Sequence, residues 1–216
     1  MFVMAVTYTS AMNIRLHRFS TFQGGVTLIE LMTAISILAI LAAIAVPSFQ
    51  SVVASTRLSG AVSELTASFA RARVESIRLG TRVTVCRSNA ANTQCSNTAG
   101  GGWETGWLIV QDIQRPTVNA SVDAGDSITF VGQSLPAEIR ILGNSYLANY
   151  ISFSANGQSK AMLGGISPGR IRVCSTSSAL QDSARARDLV INSSGRIVIE
   201  KPTVASSCPV PTAIPT

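Results

Sequence analysis

The sequence predicts an α+β protein in which one long N-terminal helix packs on an antiparallel β-sheet headpiece. Three observations carry the prediction. Val26 to Val46 is 21 residues long and holds a single ionisable side chain, Glu30. Beyond it, Leu58, Val62, Leu65, Phe69 and Ala72 recur at spacings of four, three, four and three, the stripe of a helix laid on a core. After Gly80 the pattern changes to short runs rich in β-branched residues, separated by Gly, Pro and Asn, which read as seven or eight strands. A helix with one apolar stripe must bury it, and an antiparallel sheet with one apolar face is its natural partner.

Residues 26–46 form the transmembrane half of the helix. At about 1.5 Å of rise per residue such a segment crosses a hydrocarbon core of roughly 30 Å. A carboxylate inside it costs about 2.5–3.5 kcal/mol, so Glu30 needs both a purpose and a partner. Pro47 removes one helical hydrogen bond and is expected to bend or locally melt the helix there. Residues 47–80 are the amphipathic half, with Arg71 and Glu75 placed as an i,i+4 pair and Gly80 as the C-terminal stop.

The headpiece, residues 81–216, begins with a strand over Arg82–Cys86. A polar, Gly-rich loop over 92–102 leads to a strand from Trp107 that ends near Asp112. Further strands are predicted at Ile128–Val131, Ile139–Leu142, Tyr150–Phe153, Arg170–Cys174, Asp188–Ile191 and Arg196–Ile199. Asn156-Gly157 is a turn signal, and Asn192-Ser193-Ser194-Gly195 reads as the turn of a closing hairpin. The Pro-, Ser- and Thr-rich tail after Lys201 is expected to be extended and held only by Cys208. Trp103 and Trp107 are assigned to sheet packing ahead of ligand stacking.

All four cysteines, Cys86, Cys95, Cys174 and Cys208, follow the apolar span. An even count in an exported domain suggests two disulfides and an oxidising compartment. Three pairings are possible; the preferred one joins Cys86 to Cys95 across a short loop and Cys174 to Cys208 at the tail. Zinc is the rival reading, and four thiolates without a C-x-x-C pair suit it poorly. The only histidine, His17, lies among the first 25 residues, and no Walker loop or G-x-S-x-G occurs. Gly100-Gly101-Gly102 lacks the strand–helix context and lysine of a phosphate loop. These features argue against an enzyme, and no cofactor is expected.

Gly24-Gly25-Val26-Thr27-Leu28-Ile29-Glu30-Leu31 resembles the prepilin motif of type IV pilins and type II secretion pseudopilins. The resemblance implies that a membrane prepilin peptidase cuts between Gly25 and Val26 and that Val26 is then N-methylated. It also gives Glu30 the role of neutralising the Val26 amine, its own or a neighbour's, during filament assembly, and Pro47 matches a proline common in the family. Residues 1–25 would be a cleaved leader, in which Arg15, His17 and Arg18 meet no acidic residue and hold that end in the cytoplasm. Met12 is a plausible alternative start. The glycine pair precedes the apolar run, whereas a secretory signal peptide is cut after it, so the helix remains in the product. That places the protein in the inner membrane by a single pass, with a periplasmic headpiece and a further place in a filament at the cell surface. Implied partners are other major and minor pilins or pseudopilins, the peptidase and an inner-membrane assembly platform.

The order of Cys86-Arg87-Ser88, Cys95, Trp103, Gly106-Trp107, Phe153-Ser154-Ala155-Asn156-Gly157, Cys174 and Ser194-Gly195-Arg196 is similar to the FimT/FimU/GspH group of minor pilins and pseudopilins. Minor type IV pilin is the leading expectation, minor pseudopilin of a type II secretion system the first alternative, and a DNA-uptake pilin the second. The last reading arises because FimT-like pilins are implicated in DNA uptake through a G-R-x-R motif. The closing hairpin here reads Gly195-Arg196-Ile197-Val198, and the literal match, Gly169-Arg170-Ile171-Arg172, stands one strand earlier. Arg170, Arg172 and Arg196 are therefore the candidate contacts to double-stranded DNA, the first two on one face of a strand. Only Arg15 and Arg18 of the 17 basic residues and only Glu30 of the 11 acidic ones precede Arg57, so the rest of the chain carries a net +5. That balance permits phosphate binding.

Overall fold

The computed structural model describes residues 25–115 and 117–213. The predicted leader, with Arg15, His17, Arg18 and the alternative start Met12, lies outside these residues apart from Gly25. Two compact units are distinguished, Met1–Ala43 and Ile44–Thr216. One helix, α1 (Leu28–Leu79, 52 residues), begins in the first and continues into the second. It contains Pro47 and stays helical on both sides, so the proline does not melt it. Every residue from Gly25 to Gln50 is exposed, and the apolar window of α1 has a mean hydropathy of 2.4.

In the second unit the predicted stripe is buried: Leu58, Val62, Leu65, Phe69 and Ala72 all pack in the core. Arg71 and Glu75 pair at 2.9 Å, and Gly80 follows the helix with φ of 64°. The strands are β1 (Arg82–Arg87), β2 (Trp107–Asp112), β3 (Ser127–Gly132), β4 (Ile139–Gly143), β5 (Tyr150–Phe153), β6 (Gly169–Ser175), β7 (Ala186–Ile191) and β8 (Ile197–Glu200). They form two four-stranded antiparallel sheets, in the orders β3-β2-β1-β5 and β4-β6-β7-β8.

Both sheets serve one core. Val83, Val85, Ile109, Ile151 and Phe153 from the first join Ile139, Ile141, Ile171, Val173, Leu189 and Ile191 from the second around the α1 stripe. Both tryptophans are packing residues here. Trp107 Nε1 donates to Ser68 Oγ of α1 at 2.9 Å, and Trp103 Nε1 donates to the Leu147 carbonyl at 3.2 Å. Trp103 begins a 3₁₀ turn (Trp103–Thr105) and meets Phe69 edge-on, with ring centroids 5.8 Å apart.

The expectation of one apolar face per strand fails in the middle of each sheet. β1, β2 and β6 are buried on both faces because loops cover the outer sides. Cys86, Leu108 and Val110 lie beneath Ala120 and Met162 on the first sheet. Cys174 and Ala186 lie beneath Val204 and Cys208 on the second. Disulfides Cys86–Cys95 and Cys174–Cys208, with Cα separations of 5.6 and 5.9 Å, fasten these covers. The tail is held by more than Cys208. Val204 is buried and its N–H donates to the Asp182 carbonyl at 3.0 Å, while Arg172 Nη1 donates to Pro209 O at 3.0 Å.

Two distant turns meet on α1. Arg73 Nε donates to Gly157 O at 3.1 Å and its Nη2 to Ser194 O at 3.0 Å. This clamps the turn after β5 to the β7–β8 turn. Gly195 has φ of 75°, and a Cβ there would collide with Gly157 O, whereas Gly125, at φ 92°, has nothing within 4 Å of such an atom. Gly125→Ala should cost only the left-handed backbone term, roughly 1–2 kcal/mol. Gly195→Ala should cost distinctly more in chemical denaturation of the detergent-solubilised chain. Equal costs would show that the clamp contributes nothing.

Candidate functional site

The N-terminal segment is built around Thr27. The Glu30 N–H donates to Thr27 Oγ1 at 3.3 Å and the Leu31 N–H to Thr27 O at 3.1 Å, so Thr27 caps α1. Thr27-Leu28-Ile29-Glu30 is the sequence pattern of a capping box, a signal present in the sequence itself. Glu30 thereby sits in the first turn, where a carboxylate complements the positive end of the helix dipole. The other hydroxyls of the span are satisfied locally: Thr33 Oγ1 donates to Glu30 O at 2.9 Å and Ser36 Oγ to Met32 O at 2.8 Å. Among the described residues the Glu30 carboxylate has no hydrogen-bond or ionic partner. It is the one polar side chain of Val26–Val46 left so, amid apolar neighbours such as Val26, 69 % exposed. Among the described residues a Cβ on Gly25 would meet nothing within 4 Å, so their packing does not demand glycine at that position.

The basic surface differs from the sequence expectation. Arg170 and Arg172 do share a face of β6, but neither is free for phosphate. Arg172 is 8 % exposed and grips the fully buried Asp188 with two bonds, Nε to Oδ1 at 2.7 Å and Nη2 to Oδ2 at 2.8 Å. Arg170 Nη1 pairs with the same carboxylate at 3.2 Å and with Glu200 at 2.8 Å. The reason lies in the strand period. Cys174 stands on the same face, and its disulfide to Cys208 brings the tail down over Arg172. Of the three predicted contacts only Arg196 is exposed.

Other arginines also act as loop organisers that the sequence did not reveal. Arg87, buried in β1, donates to the carbonyls of Ser96, Thr98 and Gly101, which shapes the loop following Cys95. Burial holds its guanidinium below the usual arginine range. Arg185 donates to the carbonyls of Ser175, Ser177 and Leu180 and pairs with Asp182 at 2.9 Å. Asp112, at the end of β2, is 3 % exposed, and burial raises its pKa above the ordinary 3.8, opposed by a hydrogen bond from Thr84.

Residues 61–195 match the family model described as type II transport protein GspH, and residues 21–46 match the prokaryotic N-terminal methylation motif. Two curated Pseudomonas aeruginosa proteins described as fimbrial protein are each 53 % identical over 45 residues, 21 % of this chain and 29 % of their own length. Two crystal structures of the Pseudomonas aeruginosa type IV minor pilin FimU are similar at 19 % identity. One covers 73 % of this chain and 95 % of its own with a TM-score of 0.49, the other 72 % and 98 % with 0.42.

Removing one partner of a buried ion pair is expensive, so Arg172→Ala should cost about 3–5 kcal/mol in denaturant melts. Exposed Arg196→Ala should stay within about 0.5 kcal/mol. Because the Asp112 pKa is raised in the fold, its contribution to stability is full below the ordinary 3.8 and is lost as pH climbs through the raised value. Melting temperatures of the protein and its Asp112→Asn variant, taken upward from pH 3.8, should therefore diverge to the disadvantage of the unsubstituted chain. A gap of the opposite sign would contradict the assignment.

Proposed function

The chain belongs to the GspH family of type IV pilin-like minor pilins and pseudopilins, and on that footing we propose that it is a minor type IV pilin taking part in pilus assembly at the inner membrane. The observation that carries this reading is the unpartnered Glu30 carboxylate at the head of an exposed apolar helix. Cleavage between Gly25 and Val26 would release an ammonium group a few residues from that carboxylate. The two charges attract strongly once both leave water, whereas either alone in an apolar filament core is penalised. N-methylation of Val26 keeps the positive charge. The partners on this reading are other major and minor pilins, the prepilin peptidase and the assembly platform. The disulfide-fastened headpiece stands in the oxidising periplasm. Its role is structural and involves no catalysed reaction.

The likeness to fimbrial proteins favours a pilus, and the match to a family described by type II transport favours the second reading, a minor pseudopilin of a secretion system. Deleting the gene separates them: loss of surface pili with normal protein secretion is expected, and the reverse would select the secretion machine. The DNA-uptake reading loses Arg170 and Arg172 to internal ion pairs and is not carried further.

Two variants test the assembly chemistry. A Gly25→Asp precursor should remain unprocessed in the membrane. Glu30→Ala should be cut normally and yet be depleted from sheared filaments, as read by immunoblots of membranes and filaments. Glu30→Ala filaments with normal content of this subunit would overturn the pairing role.

A further inference from the structure

At the C-terminal end of α1 a cleft of about 330 Å³ opens beside the first sheet, with Thr81, Arg82, Asp112, Arg115 and Ser154 in its wall. Its charge pattern is incompletely matched. Asp112 Oδ2 accepts from Thr84 Oγ1 at 2.7 Å, but the buried Oδ1 has no hydrogen-bond partner among the described residues. The Arg115 guanidinium stands 3.8 Å from Oδ1, beyond hydrogen-bond reach. Arg115 Nη1 instead donates to the Asp112 main-chain carbonyl at 3.0 Å, and Arg82 Nη1 to the Ala161 carbonyl at 2.7 Å. The Nε and Nη2 groups of both arginines have no partner among the described residues. The two guanidiniums are close enough to repel: after burial, Arg115 is the main influence lowering the Arg82 pKa, while Asp112 raises it.

Within the cleft wall two guanidiniums face one carboxylate, while Asp126 bears on Asp112 from outside it, and the guanidinium N–H groups left unpaired can donate to an anion. The unpaired Oδ1 demands in addition a hydrogen-bond donor, and a buried acceptor left without one costs about 1–3 kcal/mol. A phosphodiester or sulfate brings negative charge without a hydroxyl and would set its oxygens against Asp112. A neutral sugar brings hydroxyls and leaves the arginines unneutralised. A volume near the lower bound for small-molecule sites suits one ring and no more. We propose that this cleft binds a sugar acid, its carboxylate held between Arg82 and Arg115 and one hydroxyl donating to Asp112 Oδ1. A ligand of this class is the repeating unit of acidic surface polysaccharides, and its recognition would give the headpiece an adhesive contact that is separate from filament assembly.

Calorimetric titration of the full chain in detergent with D-glucuronate tests the proposal, with D-glucose and inorganic sulfate as parallel probes. Saturable millimolar binding of glucuronate alone is expected. Arg115 is exposed and outside the core, so Arg115→Gln should keep the melting temperature while weakening binding by about tenfold or more, the loss of one charge-assisted hydrogen bond. Arg196→Gln, on the β7–β8 turn, should bind as the unsubstituted chain does. Equal binding of glucose, binding of sulfate in place of glucuronate, no saturable binding, or an Arg115→Gln variant with unchanged affinity would each overturn it.

Discussion

Both sheets of the headpiece are organised by the apolar stripe of α1. Leu58, Leu65 and Phe69 are almost completely removed from water, and the side chains that remove them come from two separate sheets, not one. Full burial of one such side chain contributes about 1.5–3 kcal/mol, and the stripe gathers residues of both sheets around one helix. The polar links follow from that packing. Ser68 receives the Trp107 indole N–H, and Arg73 ties the Gly157 and Ser194 carbonyls to the helix. Gly195 is small because the Gly157 backbone passes where its side chain would be, and a side chain on Gly157 would meet Ile77 of α1.

Covering the outer faces of the sheets creates a second demand. β1 and β6 are buried on both sides, so their polar residues must be satisfied within the protein. The arginines meet this demand. Arg87 gathers carbonyls of the loop following Cys95, Arg185 gathers those after β6, and Arg172 joins Asp188 to the tail at Pro209. Guanidinium suits the task because its planar fork can serve several oxygens at once. Net positive charge here is therefore a poor guide to surface potential, since several of the charges are internal struts.

Much of the fold was legible because it rests on period and punctuation. The helix stripe, the Gly80 stop and all eight strand positions could be read from spacing, with strand ends within two residues of those read. The division into two sheets was not legible, because local alternation does not state which strands pair. The 3₁₀ turn at Trp103 was missed for a related reason: it is held by Phe69 and Leu147, both remote in sequence. The basic patch shows how two sound inferences can conflict. Period two placed Arg170 and Arg172 together, yet it also placed Cys174 beside them, and the preferred Cys174–Cys208 bridge already required the tail to cross that face. Combining the two would have predicted burial, not a phosphate track.

The N-terminal segment obeys a different economy from the headpiece. In the headpiece each buried charge of the β6–β7 network has its partner in the same chain, as Arg172 has Asp188. In the apolar span Thr27, Thr33 and Ser36 are also satisfied internally, and Glu30 alone is not. An unpaired carboxylate at that place is what the proposed pairing with the Val26 amine calls for. Thr27 strengthens that view, for by capping the helix it fixes Glu30 in the first turn, adjacent to the Gly25–Val26 junction where an amine would appear. On the proposed reading the span keeps one electrostatic requirement for assembly to meet, whereas the β6–β7 network pairs its own charges.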